Sequence, residues 1–298
     1  MKKNPVKPGA SPHIPIMVRE VIQYLQISKA GTYIDCTIGY GGHARHILNR
    51  LSSSGKLIGI DKDDEAIKFC KKSLSIYRNI QLFQNSYHRI QDVLSISKIR
   101  KVDGMLLDLG LSSAQLDSNS RGFSYKVDSE LDMRFDLSQK FKANDFLNIR
   151  SKKEIADTIF KYSDERRSRT IADNIFKMRP IKNVFELVEV IRKSTPPKNR
   201  NKTLARVFQA IRIIVNDELS ILENFLSKFC NQLCIGGRII FISFHSLEDR
   251  IIKHALKNLS IKKKIKILTK KPISPSKEEQ YSNRRSRSAK LRAAERIA

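Results

Sequence analysis

Short apolar runs alternate with stretches whose apolar residues recur three and four positions apart, the pattern of parallel strands joined by crossover helices. The runs lie near 32–38, 56–61, 80–84, 102–108 and 238–244. Between them, Val18-Val21-Ile22-Leu25, Ala44-Ile47-Leu48-Leu51 and Ala66-Ile67-Cys70-Leu74 each set an apolar stripe along one helical face. The pattern predicts a doubly wound α/β sheet.

The alternation stops after Ser112. A polar, Asp- and Arg-rich stretch runs to about Asp136, and helical periodicity follows in Ile155-Ile159-Phe160 and Phe185-Val188-Ile191. A structureless loop of that length is improbable in a compact domain, so residues 113–204 are expected to form an inserted helical domain. Thr195-Pro196-Pro197 punctuates its end. A single long helix through Val207, Ile211, Val215, Leu219 and Phe225 is expected to return the chain to the sheet, with Ile235-Gly236-Gly237 turning it into the fifth strand. The expected layout is therefore 1–112 and 205–298 for the sheet domain, around the insertion. Lys264–Leu268 and Ala289–Ile297 are expected to close the sheet edge as an antiparallel pair, with a mobile basic segment between them.

Charge adds a partner. The 298-residue chain carries a formal charge of +27 and a pI near 10.1. Lys262-Lys263-Lys264, Lys270-Lys271 and Arg284-Arg285-Ser286-Arg287 concentrate cations near the carboxyl end, which favours a nucleic acid bound in a salt-dependent way over a membrane. No run approaches 18 apolar residues and no secretory leader is visible, so a soluble, cytoplasmic protein is expected. The cysteines Cys36, Cys70, Cys230 and Cys234 include no CxxC pair and read as reduced, buried thiols rather than disulfide or metal ligands. Oligomeric state stays open between monomer and homodimer.

The candidate chemistry collects at strand ends. Tyr33-Ile34-Asp35-Cys36-Thr37-Ile38-Gly39-Tyr40-Gly41-Gly42-His43 is an apolar strand running into a glycine turn, where missing side chains leave room for a ligand. Asp61, ending the next strand, is placed to accept from ribose hydroxyls. The loop also fits the dinucleotide fingerprint, so an NAD-dependent reductase is one reading. Asp35 argues against it: with Asp61 and Asp108 it makes surroundings that repel a pyrophosphate and suit the ammonium and sulfonium of S-adenosylmethionine. Asp108 ends the fourth strand at the ligand edge of such sheets, and His245 ends the fifth. Ser246 and Asp249 read as a capping box rather than members of a Ser-His-Asp triad. The loop residues Arg121-Gly122-Phe123-Ser124-Tyr125 and Leu131-Asp132-Met133-Arg134 either close over a substrate base or anchor ordinary packing. For Glu165-Arg166-Arg167-Ser168-Arg169 the default partner is solvent and the alternative is phosphate. A non-catalytic basic RNA-binding protein is the further alternative that charge alone permits.

Taken in order, His13-Ile14-Pro15-Ile16-Met17, Thr37 to His43, Leu107-Asp108-Leu109-Gly110-Leu111-Ser112-Ser113 with Gln115-Leu116-Asp117, Arg121 to Ser124, Leu131 to Arg134, Phe208-Gln209-Ala210-Ile211-Arg212, Val215-Asn216-Asp217-Glu218-Leu219 and Ser243 to Arg250 resemble the bacterial 16S rRNA (cytosine-N4)-methyltransferases of the MraW type. The resemblance implies a class I S-adenosylmethionine-dependent methyltransferase with an inserted helical domain that helps bind RNA. It implies that Gly41, Gly42 and His43 contact the methionine part of the cofactor, Asp61 the ribose and Tyr87 the adenine, with Asp108 and Gln115 completing the pocket. It further implies a cytidine N4 in the decoding region of 16S rRNA, in the small ribosomal subunit, as methyl acceptor, with Asp108 or a nearby backbone carbonyl accepting from that amine. The family usually has phenylalanine where Tyr87 stands. Its H-P-A-T-R is here Lys202-Thr203-Leu204-Ala205-Arg206, in which Arg206 keeps its place.

Overall fold

The computed structural model describes residues 14–118 and 120–298. His13, the first residue of the motif quoted above, lies outside them. The chain forms two compact units: residues up to Ser112 together with Ser220–Ala298, and Ser113–Leu219.

The first unit is built on a seven-stranded sheet. Helix α1 (Val18–Leu25) leads into β1 (Thr32–Asp35), followed by α2 (Gly42–Leu48), β2 (Lys56–Asp61), α3 (Asp64–Ser73), β3 (Ile80–Gln84), α4 (Ile90–Ile96) and β4 (Val102–Asp108). In the second unit come α5 (Ser113–Asp117), α6 (Ala143–Ile149), α7 (Lys152–Ser163), α8 (Ser168–Lys177), α9 (Val184–Lys193) and α10 (Arg200–Asn216). After α11 (Glu218–Lys228) the chain adds β5 (Leu233–Ser243), α12 (Ser246–Ile261), β6 (Ile265–Ile267), α13 (Lys277–Ser282) and β7 (Lys290–Arg296). The strand order is β3-β2-β1-β4-β5-β7-β6. Strands β1 to β5 are parallel, and β7 pairs antiparallel with both β5 and β6. The closing antiparallel edge is therefore present as expected. The order reverses between β1 and β4, and in such sheets the crevice outside the carboxyl ends at that switch receives ligands.

Parallel strands covered on both faces read as continuous apolar runs, and each face here has its own layer. Ile34, Ile58, Ile60, Met105, Leu107 and Phe241 pack with Phe225 and Phe229 on one side. Tyr33, Leu57, Leu106, Ile240 and Ile242 pack with Val21, Leu25, Ile47 and Ile67 on the other. Strands β2, β3 and β4 keep the expected bounds, while β1 stops at Asp35 and β5 starts at Leu233. Ile235-Gly236-Gly237 is no turn before the strand. It sits in β5 where the pairing with β4 slips, from Val102↔Leu233 to Gly104↔Arg238. The segment between β6 and β7, expected to be mobile, carries α13, whose Glu279 accepts from Met17 N at 2.7 Å. Arg292 on β7 donates to buried Asp249 on α12 at 2.7 Å and holds that carboxyl low despite its desolvation.

The second unit contains helices α5 to α10. The expected single helix from Val207 to Phe225 is two helices, because Asp217 adopts left-handed backbone (φ 50°). Asp tolerates that conformation better than most residues. Asn216 then accepts from Phe135 N at 2.7 Å and donates to Met133 O at 2.7 Å, and Gln139 donates to Val215 O at 2.6 Å. These bonds tie the end of α10 into the unit, which runs to Leu219 and not to 204. Thr195-Pro196-Pro197 marks the turn between α9 and α10 within it. Arg121, Phe123, Leu131 and Met133 are buried, and Arg121 donates to the carbonyls of Arg134 and Phe135 at 2.7 and 3.0 Å. Those loop arginines and aromatics act as packing anchors. Among the described residues, no helix is long and apolar enough to cross a membrane.

Gly104 shows how tightly the sheet faces are filled. A Cβ there would lie 2.7 Å from Tyr33 Cδ1 and 2.8 Å from Leu25 Cδ1. Gly104→Ala is expected to cost about 1–3 kcal/mol of stability through overpacking. Chemical denaturation with an unchanged midpoint would contradict that packing.

Candidate active site

The site is assembled by four strand ends of the first unit. Beyond β1, Cys36 N donates to Leu106 O at 2.8 Å and Ile38 N to Ile60 O at 2.9 Å, so the loop leaves the sheet along the β1 crevice. Gly39 and Gly41 have φ of 50° and 76°. A Cβ at Gly41 would meet Leu74 Cδ1 at 3.1 Å and Cys70 Sγ at 3.3 Å, and one at Gly42 would meet Pro15 at 3.0 Å. Gly41 is required by its backbone conformation and by close packing, and Gly42 by close packing alone. Only at Gly39 is the Cβ position open, with its nearest neighbour, Thr37 O, 3.9 Å away. On the side where a Cβ would stand, the glycine turn is therefore open at Gly39 and filled by protein at Gly41 and Gly42. Cys70 Sγ donates to Gly39 O at 3.2 Å, and burial pushes its thiol up to about 12. All four cysteines are free, and three are buried.

Asp61, at the end of β2, holds the loop from the other side. Its Oδ2 accepts from Gly39 N at 2.8 Å and its Oδ1 from Asp63 N at 2.9 Å. Asp63 is buried and is the N-cap of α3, accepting from Glu65 N at 3.1 Å. Each carboxylate oxygen of Asp61 retains acceptor capacity beyond its backbone bond. Burial raises the Asp61 carboxyl to about 6, against the lowering effect of those N–H donors.

Asp35, His43 and Asp108 form the centre. Asp35 is 1% exposed, and desolvation raises it to about 7, opposed by His43 and by Thr37 N and reinforced by Asp108 and Asp61. Thr37 Oγ1 accepts from Asp108 N at 2.8 Å, locking the end of β4 onto the loop after β1. His43 is 6% exposed, with Nε2 3.5 Å from Asp108 Oδ2. Neither His43 ring nitrogen has a hydrogen-bond partner among the described residues, and Asp108 Oδ1 is buried without one. Orphaned buried polar atoms of this kind are costly in a protein without a ligand role.

Tyr87 follows β3 in a single helical turn, Tyr87–Arg89, and its ring meets Phe225 edge-on at 5.4 Å. His245 resolves toward structure: its side chain caps α12, accepting from Glu248 N at 3.4 Å, with Glu248 completing the box. The box thus begins one residue before the expected Ser246, because a histidine occupies the cap. Gln115 is buried on α5 in the second unit. Sequence reasoning passed over Thr37 and Asp63, both hydrogen-bonding side chains flanking the glycine loop and Asp61.

The residues fit S-adenosylmethionine. Three carboxylates offer acceptors for an ammonium group and ribose hydroxyls, whereas a pyrophosphate would face like charge. Comparison with known proteins agrees. The model of the MraW methylase family matches residues 10–297, and the chain belongs to that family. The Ribosomal RNA small subunit methyltransferase H of Thermosipho africanus is 49% identical, covering 96% of this chain and 98% of its own. Its namesake from Clostridium botulinum strain Loch Maree is 45% identical over 96% and 99%. A Streptococcus mutans protein solved with S-adenosylhomocysteine superposes with a TM-score of 0.45 at 13% identity, over 100% of both chains. The protein is a Rossmann-like methyltransferase that uses S-adenosylmethionine, and the reductase reading falls.

The buried Asp35 gives a pH signature. Its folded-state value lies above the unfolded one, so the folded state binds more protons between about pH 4 and 7 and loses stability as pH rises through that window. Relative to wild type, Asp35→Asn should gain on the order of a few kcal/mol between pH 4.5 and 8, most of it below 7. Denaturant midpoints across that range check this, and a pH-independent difference would contradict it.

Proposed function

We propose that this methylase modifies small-subunit ribosomal RNA, and that its acceptor is the exocyclic N4 amine of a cytidine in the decoding region. The observation that carries the reading is the buried acceptor Asp108 Oδ1, unpartnered at the carboxyl edge of β4, in a chain whose full-length relatives are named as small-subunit rRNA methyltransferases. The finer part rests on the resemblance of the ordered sequence motifs to the cytosine-N4 enzymes. In the first unit, Gly41, Gly42, His43, Asp61, Tyr87 and Asp108 are the residues this reading assigns to the cofactor. When bound, S-adenosylmethionine supplies an electrophilic methyl group on its sulfonium.

The difficulty of the reaction lies in the acceptor. The lone pair of a cytidine N4 amine is delocalised into the ring, so the nitrogen is a poor nucleophile. A carboxylate accepting from an N4–H bond localises that lone pair and receives the proton that the nitrogen must lose when it gains a methyl. Asp108 has the capacity: Oδ2 lies beside His43, Oδ1 is unused, and its own backbone is fixed through Thr37. Fixed placement of amine and acceptor supplies the remaining rate.

Labelled methyl transfer into small subunits or their RNA, followed by nucleoside mass spectrometry, should yield N4-methylcytidine. Asp108→Asn should lower kcat by about 10²-fold or more while S-adenosylhomocysteine still binds. Undiminished transfer by that variant would remove Asp108 from the chemistry, and a different methylated nucleoside would overturn the acceptor.

A further inference from the structure

Beyond the sheet, the second unit has a cavity of about 640 Å³ lined by Asp164, Glu165, Arg166, Arg167, Asn199, Lys202, Thr203 and Arg206. The sequence gives it two arms. One is the turn between α7 and α8, sharpened by left-handed backbone at Asp164 (φ 51°). The other is the first turns of α10, where Lys202 and Arg206 stand four residues apart on one face.

Glu165 fastens the arms together. It is 4% exposed, its Oε1 accepts from Arg167 N at 3.1 Å, and its Oε2 accepts from Thr203 Oγ1 at 3.1 Å and lies 3.4 Å from Arg206 Nη1. The buried carboxylate is thereby occupied from within, and it aims Arg206. Four cations surround the opening against two carboxylates. Several surface cations of this unit are paired, Lys152 and Lys177 with Asp173, Lys193 with Glu189 and Arg150 with Glu154, while others such as Lys153, Lys161 and Arg169 show no ion pair among the described residues. Around the cavity, Arg166, Arg167 and Lys202 form no ion pair among the described residues. Their arrangement also costs stability, because α10 begins with Arg200 and Lys202 and has no acid in its first turn, the reverse of what a helix N-terminus favours.

We propose that this cavity seats phosphates of the RNA backbone, with Arg166, Lys202 and Arg206 as the contacting cations and Glu165 as their positioning residue. The inference rests on the RNA reading above and deepens it, giving the helical unit a defined contact. Phosphate contacts position an RNA without reading its sequence, so the site acts on affinity and register.

The test uses the full chain and an unmodified transcript of small-subunit rRNA, with binding followed by fluorescence anisotropy at several salt concentrations. Arg166→Gln with Lys202→Gln should lower affinity about tenfold or more and flatten the slope of log K against log salt by about 1.5–2. Arg166→Lys with Lys202→Arg should restore most of both. Lys152→Gln with Lys177→Gln, which removes the same charge from paired positions, should change the slope far less. Affinity for S-adenosylhomocysteine should be unchanged in every variant. An unchanged slope in the first variant, or an equal loss in the paired control, would overturn the proposal. If the wild type transferred no methyl to small-subunit RNA, the functional reading would fail while the slope comparison still decided the phosphate site.

Discussion

Desolvation of carboxylates at the ends of adjacent parallel strands is the constraint around which the rest of the first unit is arranged. Asp35, Asp61 and Asp108 end β1, β2 and β4, where the chain leaves the strands for the loops. Burial raises Asp35 to about 7 and Asp61 to about 6, a cost the fold only partly offsets through Thr37 N, Gly39 N and Asp63 N. A glycine loop, a buried N-cap and a threonine that locks β4 to that loop exist to hold these groups in place. Such an arrangement is poor for stability and well suited to a ligand carrying positive charge and hydroxyl donors.

Much of this was legible from the sequence because it rests on local pattern. Strands β2, β3 and β4 are unbroken apolar runs ended by polar residues, and Asp61 and Asp108 are recognisable as their terminal carboxylates. What escaped was set by tertiary contacts. Gly236-Gly237 reads as a turn, yet it serves a pairing irregularity inside β5. The apolar period continues through Asp217, so one helix was expected where left-handed backbone at that residue makes two. Gly41 and Gly42 are glycines for packing against Leu74, Cys70 and Pro15, contacts that no spacing reveals. The missing partners of His43 and Asp108 Oδ1 likewise emerge only once the neighbours are in place.

The helical unit shows the same division. Its existence follows from the loss of alternating periodicity, while its extent to Leu219 follows from Asn216 and Gln139 bonding to the loop before α6. The arginines at 121 and 134, suggestive of substrate contact in sequence, are used on carbonyls and on Asp132. Arg166, in a run whose default partner is solvent and whose alternative is phosphate, lines a cavity with Arg206 around a buried glutamate. Net charge announced a polyanionic partner, and the fold shows where four cations converge on one opening.

If the acidic edge receives the cationic part of the cofactor, binding must favour the ionised form of Asp35 and expel its proton near neutral pH. Calorimetric titration with S-adenosylhomocysteine near pH 7, in buffers of different ionisation enthalpy, measures this directly. Release of a fraction of a proton, abolished in Asp35→Asn, is the predicted result. A binding enthalpy independent of buffer, or net proton uptake, would contradict the account.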